Sequence, residues 1–320
     1  MQGKLYSIQA LRGLGAFTVV IYHALSLFPF MNFRAGAAGV DLFFVISGIV
    51  MSISITDKTK PLDFFVRRIV RVVPMYWIAT TLAAAYFTLR YDMSISTSHI
   101  ISSYLFLPPP AEFFFPILYP GWTLNFEMFF YLVLSTLLII NKNTTYTAIC
   151  ILLAIGSLSK NLSSAPGSYY LTEGVLEFAI GLMIGQLIKT GYRPKTAPSI
   201  ILITSSIVLF VVNNKFKSEG FLAWGVPSAL LIIGCLGFDS SKFMKSKTAQ
   251  FFGEASYSIY LFHALVIWAI DWYSPVEKSI LHVGLAIILS MLIGAIAYKF
   301  IEQPLLKLMI SALKKSNSQN

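Results

Sequence analysis

Apolar runs of about 15 to 21 residues recur roughly ten times along the sequence, and no other feature restricts the fold as strongly. A helical run of this length crosses the hydrocarbon core of a bilayer. Of the 320 residues, 56% are hydrophobic and 12% are charged, and a mean hydropathy of +0.72 lies outside the range of soluble globular proteins. The chain is therefore predicted to be an all-α, polytopic membrane protein with about ten transmembrane helices.

The charge pattern predicts the orientation of these spans, which lie near residues 8–28, 38–55, 72–89, 122–140, 145–159, 171–188, 198–213, 220–237, 253–272 and 279–299. With the N-terminus inside, eighteen of the 24 Lys and Arg residues fall in inner segments and six in outer segments. Cytoplasmic loops carry such an excess of positive charge, so both termini are predicted to be cytoplasmic. Topology also explains the net charge of +10, and no nucleic-acid partner is expected.

We expect residues 1–320 to form a single membrane domain, with a core over about 5–305 and a basic cytoplasmic tail over 306–320. Pro304 is expected to stop the last span. The longest segment between spans, 90–121, is predicted to form a short interfacial helix and a loop that covers a site on the outer side. No spacing of His, Cys and carboxylate residues indicates a metal site.

Ionisable side chains inside apolar spans cost free energy and commonly mark a site or a pathway. Arg12 and His23 are eleven residues apart, so they share one face of a helix about 16 Å apart along its axis. His23, Asp41 and Glu127 lie at similar depth in the outer half of the membrane under the predicted topology. An imidazole beside a carboxylate acts as an oriented general base. The alternatives are that His23 bonds between packed helices and that Glu127 partners an arginine.

A second polar group is cationic and lies at the inner mouth of the third span. Arg68 and Arg71 are three residues apart and share a helical face. One interpretation is a phosphate clamp, because guanidinium groups match phosphate oxygens bidentately, and Arg12 would open toward the same side. The other is an anchor that binds anionic lipid head groups.

Several of these motifs together resemble the membrane acyltransferase-3 family. They are the Arg12-x10-His23 spacing, the Gly-Val-Asp-Leu-Phe-Phe-Val-Ile-Ser-Gly run of residues 39–48, the Arg68-x2-Arg71 pair, and the Ser-Tyr-x-x-Tyr-Leu-x-His string of residues 256–263. The resemblance covers about residues 5–305. The fourth-span sequence of residues 121–132 is most similar to the exopolysaccharide-production branch of O-acetyltransferases, although Asn125 stands where many relatives carry an acidic residue.

The resemblance implies acetyl-CoA as the donor on the cytoplasmic side and, as the acceptor, a hydroxyl of an exopolysaccharide, lipopolysaccharide or lipid-linked sugar. It also implies a multi-pass protein of the bacterial inner membrane. The residues that would act in catalysis are His23, Asp41 and Glu127. The residues that would bind the CoA phosphates are Arg12, Arg68 and Arg71. The residues that would bind the acceptor substrate are Trp122, Asn125, Ser256 and Tyr260.

Buried charges and many spans are equally typical of other membrane proteins. A transporter or flippase for a lipid-linked sugar is the first alternative, although no inverted repeat is visible. A structural subunit of a polysaccharide export complex is the second. Within the enzyme class, a different acyl group such as succinyl remains open.

Overall fold

In the computed structural model of the chain, the described residues are 4–28, 33–140, 143–162, 168–274 and 278–317. This part of the chain contains twelve α-helices and no β-strand. The first six are α1 (Tyr6–Ala24), α2 (Gly39–Ser54), α3 (Pro61–Tyr91), α4 (Thr97–Tyr104), α5 (Gly121–Ile140) and α6 (Thr144–Leu162). The last six are α7 (Gly174–Lys189), α8 (Thr196–Phe216), α9 (Phe221–Leu236), α10 (Lys247–Tyr273), α11 (Ile280–Ala297) and α12 (Gln303–Asn317).

Every predicted span coincides with one of these helices, and the all-α class is confirmed. Among the described residues, six helical segments are long and apolar enough to cross a membrane. They are Tyr6–Leu27, Arg34–Ser54, Pro61–Tyr91, Gly121–Ile140, Thr196–Phe216 and Ile280–Lys315. The protein is therefore a multi-pass membrane protein. The count of ten spans and the cytoplasmic position of the termini stay predictions.

The chain divides into two compact units, the first of which comprises residues 1–22, 31–59 and 136–256. In this unit α2 and α7 meet backbone to backbone. A Cβ added to Gly181 would lie 2.1 Å from the Val45 carbonyl oxygen, and one added to Gly48 would lie 2.3 Å from that of Phe178. Small residues permit such close approach of membrane helices. Apolar side chains of α1, α2, α7 and α9 form the core around this contact.

The second unit comprises residues 23–30, 60–135 and 257–320. Helix α10 is fixed against α3 because the Tyr257 hydroxyl donates to the Val72 carbonyl at 2.7 Å. Helix α5 begins at Gly121, where a Cβ would come within 2.7 Å of the Tyr76 ring of α3. This unit contains His23, most of α5 and the whole of α3, and it therefore holds most of the predicted site residues.

The expectation that Pro304 stops the last span is wrong. A π-helical turn, Tyr298–Glu302, follows α11, and α12 then runs to Asn317 with Pro304 in its first turn. Proline is tolerated there because the first-turn N–H groups of a helix have no partner within the helix. Glu302 is fully buried and accepts a hydrogen bond from the Ser258 hydroxyl at 2.6 Å, so it fixes α10 against the π-helical turn.

The short helix predicted between residues 90 and 121 is confirmed as α4, Thr97–Tyr104. Its N-cap is Ser96, whose hydroxyl accepts from the backbone N–H of His99 at 3.3 Å. A serine at this position satisfies one of the amide groups that a helix start leaves without a partner.

Candidate active site

The centre of the second unit holds two histidines in contact. His23 is the penultimate residue of α1, and His263 lies in α10 with no exposed surface. The Nε2 atom of His263 lies 3.2 Å from Nδ1 of His23, and the two ring centroids are 4.9 Å apart. On the other side of its ring, His263 places Nδ1 2.6 Å from the carbonyl oxygen of Tyr260. The three groups therefore form a continuous hydrogen-bonded chain.

The carbonyl at one end of this chain determines where the protons lie. A carbonyl oxygen only accepts, so Nδ1 of His263 carries a hydrogen and, in the neutral ring, Nε2 is an acceptor. His23 then donates through Nδ1, and its Nε2 is the nitrogen that carries the lone pair. His263 thus holds His23 in the tautomer in which Nε2 can take a proton. Such an arrangement suits a general base, which needs its accepting nitrogen held in one tautomer, and the catalytic role of His23 stays a prediction.

A cavity of about 260 Å³ opens beside His23. It is lined by His23, Ser26 and Leu27 from the end of α1 and the turn after it, and by Ala264, Ile267, Trp268 and Asp271 from α10. The Ser26 hydroxyl donates to the His23 carbonyl at 2.6 Å. His23 therefore borders a space in which a small polar group can bind.

The segment after α4 supplies one wall of the histidine site. The ring of Tyr119 meets that of His23 edge-on, with the centroids 5.5 Å apart. His99 holds this segment through Nε2, which lies 3.0 Å from the Phe115 carbonyl oxygen. Burial lowers the pKa of His99, so its ring is neutral at pH 7 and donates to that carbonyl. The segment that sequence reasoning placed over a site thus touches His23.

Two of the predicted substrate-binding residues hold this same segment. Asn125 has no exposed surface, and its amide donates to the Leu107 carbonyl at 3.0 Å. The Tyr260 hydroxyl lies 2.9 Å from the Thr123 hydroxyl and 3.2 Å from the Pro120 carbonyl oxygen. Both side chains therefore position residues 105–120 and the start of α5. A direct contact of either one with substrate stays a prediction.

The other two predicted substrate-binding residues lie in different surroundings. Trp122, on α5, is half-buried and meets Phe126 edge-on, with a centroid distance of 6.0 Å. Ser256 is fully buried in the first unit and donates to the Gly253 carbonyl at 2.8 Å. The substrate roles of both residues stay predictions.

A polar cluster in the second unit joins α3 to α5. The Tyr131 hydroxyl donates a short hydrogen bond to Oε1 of Glu127. Arg68 interacts electrostatically with both Tyr131 and Glu127, and its guanidinium lies 5.3 Å from the centroid of the Phe64 ring. Arg71 follows one turn later on α3. Glu127 is therefore an electrostatic partner of Arg68, as the alternative interpretation had it, and its catalytic role stays a prediction.

Asp41 and Arg12 belong to the first unit. Asp41 on α2 interacts electrostatically with Glu177 on α7, and Glu177 is only 4% exposed. Arg12 is partly buried on α1. The predicted partnership of Asp41 with His23, and of Arg12 with Arg68 and Arg71, stays a prediction.

Sequence reasoning missed two residues of this arrangement. Glu177 is a carboxyl group inside an apolar run, so the rule that marked Asp41 and Glu127 also marks it. His263 ends the string of residues 256–263 that carries the family resemblance, but it is not among the predicted site residues. Among the described residues, no three His, Cys, Asp or Glu side chains are grouped as a metal ion requires.

Comparison with known proteins identifies the class of this protein. The model of a family described as an acyltransferase domain matches residues 5–299, which is nearly the whole chain. This chain belongs to the acyltransferase-3 family. The resemblance seen in the sequence is thereby confirmed, and the protein is an acyltransferase rather than a transporter or a structural subunit.

Two relatives of this acyltransferase have informative names. The exopolysaccharide production protein ExoZ of Rhizobium meliloti is 33% identical over 299 residues, which cover 86% of this chain and 91% of the relative. The peptidoglycan O-acetyltransferase OatA of Listeria monocytogenes is 26% identical over 94% of this chain. The matched part is 56% of OatA, so the chain spans little more than half of that relative. No solved structure matches the chain.

Proposed function

We propose that this acyltransferase moves an acetyl group from acetyl-CoA to a hydroxyl of an exopolysaccharide, a lipopolysaccharide or a lipid-linked sugar in the bacterial inner membrane. The observation that supports the proposal is the His263–His23 hydrogen bond, because it leaves Nε2 as the basic nitrogen of a residue that also lines the cavity. The names of the two relatives support a carbohydrate acceptor, since exopolysaccharide and peptidoglycan both contain sugar polymers.

The reaction follows from the tautomer of His23. Nε2 takes the proton of the acceptor hydroxyl while its oxygen attacks the thioester carbonyl carbon of acetyl-CoA. The new O–C bond forms, the C–S bond breaks, and the CoA thiolate leaves. The proton on Nε2 then passes to that thiolate. While His23 carries the extra proton, its Nδ1–H bond to His263 becomes charge-assisted and stronger, which stabilises the intermediate state.

The donor needs cations, because CoA is a polyanion. Arg68 and Arg71 share a face of α3 and would bind CoA phosphate oxygens, with Arg12 as a third cation. Glu127 and Tyr131 would keep the guanidinium of Arg68 in a fixed position before the donor arrives. An arginine that is already ordered loses less entropy when it binds a phosphate group.

The proposal is tested in a strain that lacks the gene and is complemented with wild type, His23→Ala or His282→Ala at matched membrane levels. His282 is the control because its side chain caps α11 and pairs with Ser274 and Ser279, which do not belong to the histidine–carbonyl chain. Proton NMR of the purified polysaccharide measures its O-acetyl content. We expect acetyl groups with wild type and His282→Ala and none with His23→Ala. Full acetylation by His23→Ala would contradict the assigned base, and polymer lacking acetyl groups with wild type would contradict the function.

A further inference from the structure

We propose that the cavity beside His23 is the binding site for one sugar ring of the acceptor, with Trp268 and Asp271 as its recognition residues. The inference rests on the proposed function and adds to it the residues that would hold the acceptor. Neither residue belongs to the histidine–carbonyl chain, yet both line the same cavity as His23. A ring held there would lie next to the base that deprotonates its hydroxyl.

The lining matches the two kinds of surface that a sugar ring presents. One face of a pyranose carries C–H groups, and the flat apolar ring of a tryptophan packs against such a face. The rim carries hydroxyls, which donate to a carboxylate such as Asp271 and exchange hydrogen bonds with Ser26. A few convergent polar groups on an otherwise apolar wall are typical of small-molecule sites.

Trp268 is held in place by aromatic neighbours on α3. Its ring stacks on Tyr86 with a centroid distance of 5.6 Å and an interplanar angle of 21°, and it lies 5.0 Å from Phe87. The Tyr86 hydroxyl also donates to the Trp268 carbonyl at 3.2 Å. An indole fixed in this way loses little conformational freedom when a ligand packs against it. A tryptophan that only anchors the protein at the membrane surface needs no such support.

Asp271 is oriented by an ion pair. Nζ of Lys278 lies 2.7 Å from its Oδ1 atom, which holds the carboxylate at the rim of the cavity. The second oxygen, Oδ2, remains as an acceptor for a sugar hydroxyl. CoA and a lipid tail are the other candidate ligands for this cavity, and the half-exposed carboxylate of Asp271 disfavours both. It repels the phosphates of CoA, and a charged group beside a lipid tail is unfavourable.

The size of the cavity favours a single ring. Its volume of about 260 Å³ lies just below the range of small-molecule sites, which begins at about 300 Å³. Because the cavity is open, the rest of a polymer or a lipid carrier can extend away from it while one residue is held beside His23. The expected specificity is therefore for the ring that receives the acetyl group.

The test uses the full-length protein in lipid nanodiscs and two substitutions, Asp271→Asn and Trp268→Leu. Asp271→Asn keeps the shape of the side chain and removes only its charge. It therefore still tests sugar binding if the Trp268→Leu protein folds poorly. Exposed side chains supply the controls: Asp57→Asn for the carboxylate, and Tyr273→Leu for an aromatic side chain at the end of the same helix. The probes are the methyl glycosides of glucose, galactose and mannose. Binding is followed by isothermal titration calorimetry, and transfer by acetyl ester formation from acetyl-CoA.

We expect at least one methyl glycoside to bind wild type and both controls. Asp271→Asn and Trp268→Leu should raise its dissociation constant, and its KM as acceptor, roughly tenfold or more, while the KM for acetyl-CoA changes less than twofold. Unchanged affinity in both variants, or no binding of any glycoside to wild type, would overturn the sugar site. Binding that the two substitutions abolish, in a wild-type protein that transfers no acetyl group, would support the site and refute the proposed function separately.

Discussion

The hydrogen bond between His263 Nε2 and His23 Nδ1 gives the two imidazoles different roles. His23 borders the cavity and exchanges protons with substrate in the proposed reaction. His263 is a positioning residue, because its Nδ1 is committed to the Tyr260 carbonyl and its Nε2 to His23. The positions of both protons follow from the Tyr260 carbonyl oxygen, which only accepts. The assignment can therefore be tested by replacing His263, whose Nε2 accepts the hydrogen bond from His23.

Replacing His263 with Leu should lower kcat about 10- to 100-fold, since His23 then loses the acceptor that fixes its tautomer. His263→Gln should recover part of the rate, because its side-chain oxygen can accept from Nδ1–H of His23. Steady-state kinetics in nanodiscs measure both, and the KM for acetyl-CoA should stay within twofold of wild type. An equal loss of kcat in the two variants would show that His263 acts only in packing. A wild-type kcat in His263→Leu would refute its positioning role.

Arg68 is predicted to act on the phosphates of the donor and not on its acyl group. Arg68→Ala should therefore lower kcat/KM about 10- to 100-fold for acetyl-CoA and have little effect for S-acetylpantetheine, which lacks the nucleotide phosphates. Arg193→Ala is the control, since Arg193 is an exposed arginine between α7 and α8. A parallel fall for both donors would show that Arg68 acts elsewhere in the reaction.

Individual site residues could be predicted from the sequence, because a charged group inside an apolar span is costly and stands out. The contacts between these residues could not be predicted. His23 and Glu127 stood out as ionisable groups in apolar spans, and the structure gives each of them specific polar contacts. The contact of His23 with His263 joins residues 240 positions apart, which no local spacing encodes. For Glu127 the sequence left two interpretations open, a place beside His23 and Asp41 or a pairing with an arginine. Only the fold associates Glu127 with Arg68 and Tyr131.

At the scale of helices, the backbone contact between α2 and α7 organises the first unit. Gly181→Ala should destabilise the protein because its Cβ would lie 2.1 Å from the carbonyl oxygen of Val45. Overpacking of this kind typically costs about 1–3 kcal/mol, so in a chain of 320 residues Tm should fall by roughly 2–5 °C. Gly284→Ala is the matched control, since a Cβ there meets no atom within 4 Å, and its Tm should be unchanged or slightly higher. Equal Tm values for the two variants would contradict the α2–α7 contact.

Helix positions were well predicted because length and hydropathy alone determine where a span can lie. Two details depended on information that hydropathy does not carry. Helix α3 begins at Pro61, ahead of the predicted span of residues 72–89, so the helix also includes Arg68 and Arg71, which were predicted to share a helical face. The π-helical turn before α12 places Pro304 at a helix start, where its missing N–H costs nothing, and the chain therefore continues as a helix.

For the whole molecule, the distribution of charge predicts which loops face each side of the membrane. In a variant in which Cys150 and Cys235 are replaced, single cysteines at Arg90 and Lys217 should react with a membrane-impermeant maleimide added to intact cells. A single cysteine at Arg193 should react only after the cells are opened. Labelling in the reverse order would invert the predicted orientation, and labelling of all three in intact cells would refute the span assignment.

His23 is proposed to be the general base for acetyl transfer to a sugar, and an assay with purified protein in proteoliposomes measures this transfer directly. Radiolabelled acetyl-CoA and a saccharide acceptor are supplied, and alkali-labile label on the saccharide is counted for wild type, His23→Ala and the control His282→Ala. The account predicts sugar ester with wild type and the control, and at least about a hundredfold less with His23→Ala. Absence of labelled saccharide with wild type, or equal rates in all three proteins, would contradict it.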